Sequence, residues 1–534
     1  MALLKNGLIY DGSSKPPFYG SIIIEDDRIA EVRREEVEEY GGEVIDCTGL
    51  VIAPGFIDAH SHNDFYTTYE DNLSYFLPFV EQGITSMITG NCGFSPAGYI
   101  KDTNYREFIG GGLFSTYPPE ADFSDLEAWI GSSYQKTPLN IFPLVGHGTA
   151  RIGINGKKAE RLTESQLSSM LESLETCLAE GAYGVSLGLM YEPGLYAPYE
   201  ELVEVAKLVK KYDRILTVHN RAQSRISTSY SPPVGGRAHN LRAIDEMVGL
   251  AKATGVRLQN SHLIFVGEKS FDTVDETLDL INRCNSQGCD FGFDLYSPTY
   301  GASIITVILP GWYLMLDEKM RKSTTVKLRL WAEILVARKA LGLDFDDILI
   351  SDGAGCVNEY EGMYVSEIAV KLKQSPLKTY IELVDRSEGK AGVYIRKYSN
   401  EDIIRKLLRH DRSILMTDAW FQPRGIQNGA AYHGMAKFLL MADNGELRLE
   451  EIINRMTGKA AERYQLKDRG FIEAGKYADI TVFELKALRI DEKEIKKPEG
   501  IKYVFINGEK VIDRGMTNRQ LLGNAGKIGT LEKP

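Results

Sequence analysis

Cysteine is scarce in this chain: six in 534 residues, scattered at positions 47, 92, 177, 284, 289 and 356. That density excludes a disulfide framework, and no C-x-x-C pair suggests a redox motif. The reading is a cytoplasmic protein with free thiols. Positive charge is also short. With 62 Lys and Arg against 74 Asp and Glu, the formal net charge is −12. This argues against a nucleic-acid partner, because phosphate binding needs a basic surface. Long apolar runs are missing as well. The first residues hold no apolar stretch of signal-peptide length. The longest such stretch, residues 302–316 (ASIITVILPGWYLML), is interrupted by Pro310 and Gly311 and is too short to span a bilayer. It reads as a buried or lid-like segment, not a membrane contact.

What is present is ordinary for a folded soluble protein: 43% hydrophobic and 25% charged residues, in a chain long enough to bury a large core. The two ends are β-rich. Residues 4–12 (LKNGLIYDG) read as strand, Asn-Gly turn, strand, and residues 21–32 repeat the pattern around an acidic turn. Residues 478–483 read as a strand and 503–512 as a second Asn-Gly hairpin. Lone sheet edges are a liability, so the two ends are expected to pair as one β-sandwich.

The middle alternates short apolar strands with amphipathic helices. Thr163 and Gln166 form a capping-box pattern ahead of Leu167, Met170, Leu171, Leu174 and Leu178 at helical spacing. Strands follow at 183–187, 215–219 and 256–262, with helices at 198–211 and 241–254 between them. This order predicts a parallel sheet closed as a (β/α)8 TIM-type barrel. The expected division is 1–53 and 467–534 for the sandwich and 54–466 for the barrel. Residues 316–341 look helical and basic, and an insertion is expected near 300–350. The Ser-, Gly- and Pro-rich residues 224–236 read as a surface loop that either shapes a substrate mouth or is passive.

Chemistry gathers at the predicted strand ends. In residues 54–64 (PGFIDAHSHND), His60 and His62 stand two apart, which on a strand sends both imidazoles to one side. His219 and His262 each close a predicted strand, so four of the chain's eight histidines share this setting. Asp418 ends the apolar run 413–418, and Cys92 follows the apolar run 84–88 between glycines. Singly, each has a structural explanation: a strand-end polar group, a helix cap, a buried small thiol. Together, imidazoles, a carboxylate and a thiolate suit zinc or a similar divalent ion.

These motifs resemble a known family. PGFIDAHSHND resembles the metal motif of the amidohydrolase superfamily. GNCGFSP, LVGHGTAR, GAYGVSLGLMYEPGLYAPYEEL and MTGKAAERYQLKDRGFIEAGKYADITVF resemble its N-acyl-D-amino-acid deacylase branch. The likeness runs from about residue 5 to 510 and is weakest over 300–400. It implies a (β/α)8 barrel with a sandwich built from both chain ends. It also implies a tight Zn2+ site on Cys92, His219 and His262, and a second, weaker site on His60 and His62. Asp418 would be general base and then acid. Tyr191 would touch the substrate carbonyl, and Arg221 and Tyr296 would line the pocket of a small-molecule substrate. Two family features are missing. No lysine follows His262 in the run SHLIF, and Ala430-Ala431-Tyr432-His433-Gly434 stands where the family has a Pro-Arg pair. Arg424 and His433 are the candidate replacements. The implied activity is zinc-dependent hydrolysis of N-acyl-D-amino acids or a related N-acyl compound. The alternative is a cyclic amide or imide hydrolase like dihydroorotases and hydantoinases. A non-catalytic barrel relative would be expected to lose ligands, and all five positions are present.

Overall fold

The computed structural model describes every residue except 36, 38–39, 110–122, 134–136, 231–235, 315, 322, 443–446 and 533–534. The loop expected at 224–236 therefore lies partly outside the described residues.

Eight parallel strands form the centre. In chain order they are Phe56–Asp58, Ile84–Thr89, Asn140–Gly146, Gly184–Gly188, Ile215–His219, Arg257–Asn260, Phe291–Leu295 and Ser413–Leu415. The eighth returns to the first and closes the barrel. Ala59 N donates to Leu415 O at 3.3 Å, Asp418 N to His60 O at 3.1 Å, and Thr417 N to Asp58 Oδ1 at 2.8 Å. Every described residue of these strands is buried apart from Arg257, as parallel strands covered on both faces require. The helices between them form as their patterns dictate. Thr163 and Gln166 complete the capping box of helix Glu164–Ala179, and Met170, Leu174 and Leu178 turn inward.

Both chain ends join one mixed sheet of nine strands. Ile480–Phe483 pairs antiparallel with Val51–Pro54, which lies parallel to Ala2–Ile9. Leu4, Ile9, Ile22, Ile24, Ile480, Val482 and Phe505 share one apolar cluster, so neither end could bury its face alone. The hairpin at Asn507-Gly508 forms as expected between Ile501–Ile506 and Glu509–Asp513. The Asn6-Gly7 turn does not. Ala2–Ile9 is a single strand with a bulge between Leu4 and Gly7, where Asn6 takes φ +63°. Its partner Phe18–Glu25 runs on past that point, so the dipeptide bends the strand without reversing it.

A second structure is inserted between the seventh and eighth barrel strands. Gly301–Ile304, Ile348–Asp352 and Gly392–Ile395 make a three-stranded antiparallel sheet, flanked by helices Thr324–Leu341, Val365–Leu372 and Pro376–Arg386. It reaches well beyond the 300–350 interval suggested by the sequence. The described part of the apolar stretch 302–316 belongs to it and turns Ile305, Leu309 and Tyr313 inward. Among the described residues no helix is long and apolar enough to cross a membrane.

Candidate metal centre and active site

The site sits where the barrel strands end. His60 and His62 follow the first strand, Cys92 the second, His219 ends the fifth, His262 follows the sixth and Asp418 the eighth. To aim at a common point the chain must turn sharply as each strand stops. Cys92, His262 and Asp418 do so in the left-handed region, at φ +54°, +35° and +49°. Such conformations cost about 1–3 kcal/mol each and persist where the surroundings impose them.

For Cys92 those surroundings are visible. The Ser186 hydroxyl, on the fourth strand, accepts from Gly93 N at 2.9 Å and donates to Gly90 O at 2.5 Å. Thr149 N donates to Gly93 O at 3.0 Å. A Cβ on Gly90 would stand 2.0 Å from Leu144 O, so only glycine fits there.

Cys92 Sγ lies 3.4 Å from His60 Nε2, 3.5 Å from His219 Nδ1 and 3.5 Å from His262 Nε2. Asp418 Oδ1 lies 3.5 Å from both His60 Nε2 and His62 Nε2. His60 thus belongs to two groups, one around the thiol and one around the carboxylate. Two overlapping sets of potential ligands result: His60, Cys92 and His262, and His60, His62 and Asp418. His219 touches the first through the thiol.

The donors fit a metal ion. A tetrahedral zinc with a thiolate at about 2.3 Å and an imidazole at about 2.05 Å has sulfur–nitrogen edges of about 3.5 Å. The three edges at Cys92 match that value. Burial, then the neighbouring imidazoles, hold His60 and His219 well below the usual histidine range, and burial lowers His262. Neutral rings have lone pairs to offer. Burial, then Asp418 and Asp294, push the Cys92 thiol well up. A buried thiol among neutral imidazoles gains most from a cation that favours its thiolate.

Two buried carboxyl groups support the ligands. Asp294, on the seventh strand, accepts from His262 N at 2.6 Å and from Gln259 Nε2 at 3.1 Å, and its Oδ1 lies 3.9 Å from His60 Nδ1. Burial pushes it up to about 8. Asp58 accepts from Thr417 Oγ1 at 2.5 Å and from His60 N at 3.3 Å, which pins the first strand to the eighth. Sequence reasoning missed both, along with Ser186. The available signal was spacing: Asp58 and His60, like Asp294 and Tyr296, stand two apart where a barrel strand ends.

The expected substrate residues are placed unequally. The Tyr191 ring stands 4.6 Å from that of His219. Tyr296 is buried and feels the Asp418 charge. Arg221 instead braces a loop. Its Nε donates to both Glu246 oxygens at 2.9 and 3.1 Å, and its terminal nitrogens donate to Leu195 O at 2.8 Å and Ala197 O at 2.6 Å. Arg424 is exposed beside Asp352, at 3.5 Å. His433 is buried on helix Gly429–Leu440, facing Gly429 and Tyr300. Trp420 and Tyr398, which the sequence did not flag, do reach the site. Trp420 packs with Cys92, and Tyr398 feels Asp418.

The amidohydrolase family profile matches residues 51–511. The chain is 26% identical over 530 residues to an N-acyl-D-aspartate deacylase of Alcaligenes xylosoxydans xylosoxydans, covering 98% of this chain and 94% of that protein. A D-aminoacylase of the same organism is 24% identical over 520 residues, 95% of this chain and 94% of its own length. Among solved structures, a D-aminoacylase matches with a TM-score of 0.78 at 23% identity over 99% of both chains. An N-acyl-D-glutamate deacylase from Bordetella bronchiseptica, complexed with zinc and a phosphonate inhibitor, matches at 0.78 and 22% identity over 99% of both chains. These structural likenesses establish the barrel with its sheet from both chain ends.

Proposed function

Because this chain belongs to the amidohydrolase family, we propose that it hydrolyses the amide of an N-acyl-D-amino acid or a related N-acyl compound, using zinc and Asp418. One observation carries the reading: a thiol, four imidazoles and a carboxylate meet at contacts of 3.4–3.5 Å at the strand ends of the barrel. The full-length relatives, named for N-acyl-D-aspartate deacylation and D-aminoacylase activity, support the substrate class.

Cys92, His219 and His262 would hold the tighter ion, and His60 and His62 a second, with His60 within reach of both. Held by these residues, a divalent ion would supply Lewis acidity toward the amide carbonyl and toward a water whose pKa it would lower toward neutrality. Asp418 Oδ1 takes the proton of the attacking water and delivers it to the nitrogen as the C–N bond breaks. Its side chain is 25% exposed while those of His60 and His62 are 0% and 1% exposed, so the base meets substrate and the ligands stay sealed behind it. Burial, then Cys92 and Asp418, keep the Tyr191 phenol protonated, able to donate to the carbonyl oxygen as negative charge develops there.

Asp418→Asn tests the mechanism. Acyl release from N-acetyl-D-amino acids and their neutral derivatives should fall by at least about 100-fold, with zinc content unchanged. Near-normal turnover would sink the mechanism. Hydantoins and dihydropyrimidines assayed alongside separate this reading from a cyclic amide hydrolase.

A further inference from the structure

The loop that carries Tyr191 is tied down beyond it. It leaves the fourth barrel strand at Gly188, turns at Gly194–Tyr196 and enters helix Tyr199–Lys211. Tyr191 N donates to Gly188 O at 3.3 Å, and Leu195 N donates to Tyr191 O at 2.7 Å. The place of Tyr191 is therefore linked to that of Leu195, and Leu195 is where Arg221 acts. One terminal nitrogen of Arg221 donates to Leu195 O at 2.8 Å and the other to Ala197 O at 2.6 Å. Its Nε donates to both oxygens of Glu246, on helix His239–Thr254. A guanidinium is a rigid planar fork, so fixing Nε aims the two terminal nitrogens.

The ends of the loop have their own anchors. At the start, Leu189 N donates to His219 O at 2.9 Å, and the Tyr191 ring stands 4.6 Å from that of His219. Past the end, Glu201 pairs with His147 Nε2 at 2.8 Å and accepts from Arg151 Nε at 3.1 Å, all three buried. This fixes the first turn of helix Tyr199–Lys211. Between these anchors the loop is gripped at Leu195 and Ala197 by Arg221, two residues after the ligand His219. Glu246 also accepts from Tyr230 Oη at 2.8 Å, and the Ser229 hydroxyl donates to Arg221 O at 2.9 Å. The described part of segment 224–236 and the Tyr191 loop thus meet at one ion pair, whose side chains are only 10% and 15% exposed.

We propose that Arg221, held by Glu246, is a positioning residue that sets the Tyr191 phenol beside the metal centre. This is a different task from lining the pocket, the role that family resemblance implies for it. The proposal rests on the amide-hydrolase reading above, in which Tyr191 donates to the carbonyl oxygen.

A double-mutant cycle tests it, using the zinc-loaded full chain and whichever of N-acetyl-D-aspartate and N-acetyl-D-leucine the wild type hydrolyses faster. Tyr191→Phe removes the donor, which should lower kcat by about 100-fold or more. Arg221→Met releases the loop, and a misplacement of about 1 Å should lower kcat by about 10- to 100-fold, with KM and zinc content little changed. Added to Tyr191→Phe, the same change should cost less than about threefold. Losses that multiply in full would overturn the proposal. Glu246→Gln, on a separate helix from the ligands, should show a smaller loss that Tyr191→Phe likewise absorbs, and it decides the matter if Arg221→Met fails to fold or to hold zinc. Amide hydrogen exchange reads the clamp without turnover. In either variant the peptide 189–198 should lose protection by about 10-fold, while barrel strands 140–146 and 257–260 keep theirs. Unchanged protection of the loop would overturn the proposal. No acetate from either substrate, with zinc bound to the wild type, would overturn the hydrolase reading itself, and the exchange result alone would then decide the clamp.

Discussion

Ser186→Ala is the sharpest test of how the barrel holds its thiol. Ser186 is fully buried, and its hydroxyl bridges Gly93 N (2.9 Å) and Gly90 O (2.5 Å) on either side of Cys92. Alanine removes both bonds at once. A buried polar group left unpaired costs about 1–3 kcal/mol. With partial relaxation of the two glycines, we expect a loss of about 2–4 kcal/mol in the metal-free protein. The second effect is on the ligand. Cys92 is kept at φ +54° by this brace, and without it the thiol relaxes toward ordinary backbone angles and away from the three imidazoles. Outer partners of metal ligands typically contribute about 10- to 100-fold in affinity, and a weakening of that order is expected for zinc. Urea unfolding of the metal-free protein reads the first effect, and zinc titration against a competing chelator reads the second. Zinc affinity within about twofold of wild type, with a stability change under about 0.5 kcal/mol, would refute the idea that Ser186 fixes Cys92.

Three further outcomes are expected. Because burial holds the Cys92 thiol protonated, zinc loading at pH 8 should release about one proton per ion bound at the thiol, and affinity should rise with pH; in Cys92→Ser this release, measured in weakly buffered solution, should disappear. Asp294, Asp58 and Asp64 are pushed up by burial to about 8, about 7 and about 7, against about 3.9 in an unfolded chain. The folded state then binds the extra protons, so these carboxyls contribute stability at about pH 4 that is lost as pH rises to about 8, while the buried histidines held below their usual range oppose that fall up to about pH 6.5. Asp294→Asn should remove its share of that loss, so the variant's denaturant midpoint should gain on that of wild type as pH rises from about 4 to about 8, and a constant offset between the two would contradict the assignment. Far from the metal, Arg469 pairs with Asp479 while donating to Asn507 Oδ1 at 2.8 Å, all buried between barrel and end sheet. Arg469→Met should destabilise by about 3–5 kcal/mol through the uncompensated Asp479, with zinc affinity unchanged.

The architecture and the ligand types were written in local patterns. Strand periodicity, the capping box before Leu167 and the spacing of His60 and His62 each act over a few residues, so they can be read without knowing the fold. The same locality explains the misreading at Asn6-Gly7. That dipeptide makes a turn at 507–508 and a bulge at 6–7, and the difference lies in a partner strand some fifteen residues away.

By itself, then, the sequence determined a parallel barrel, a sheet shared by both chain ends, and a set of imidazole, thiol and carboxylate groups at strand ends. Only the tertiary structure decided how those groups meet. It placed His60 between Cys92 and Asp418, set Ser186 across the Cys92 turn and Asp294 beneath His262, and turned Arg221 onto Glu246. It also gathered Trp420, Tyr398 and Phe94 around the reactive centre. The physical reason is that a barrel brings strand ends together by closure. Contacts between residues such as Asp58 and Thr417, 359 positions apart, are set by register and burial around the whole ring, and no short stretch of chain encodes them.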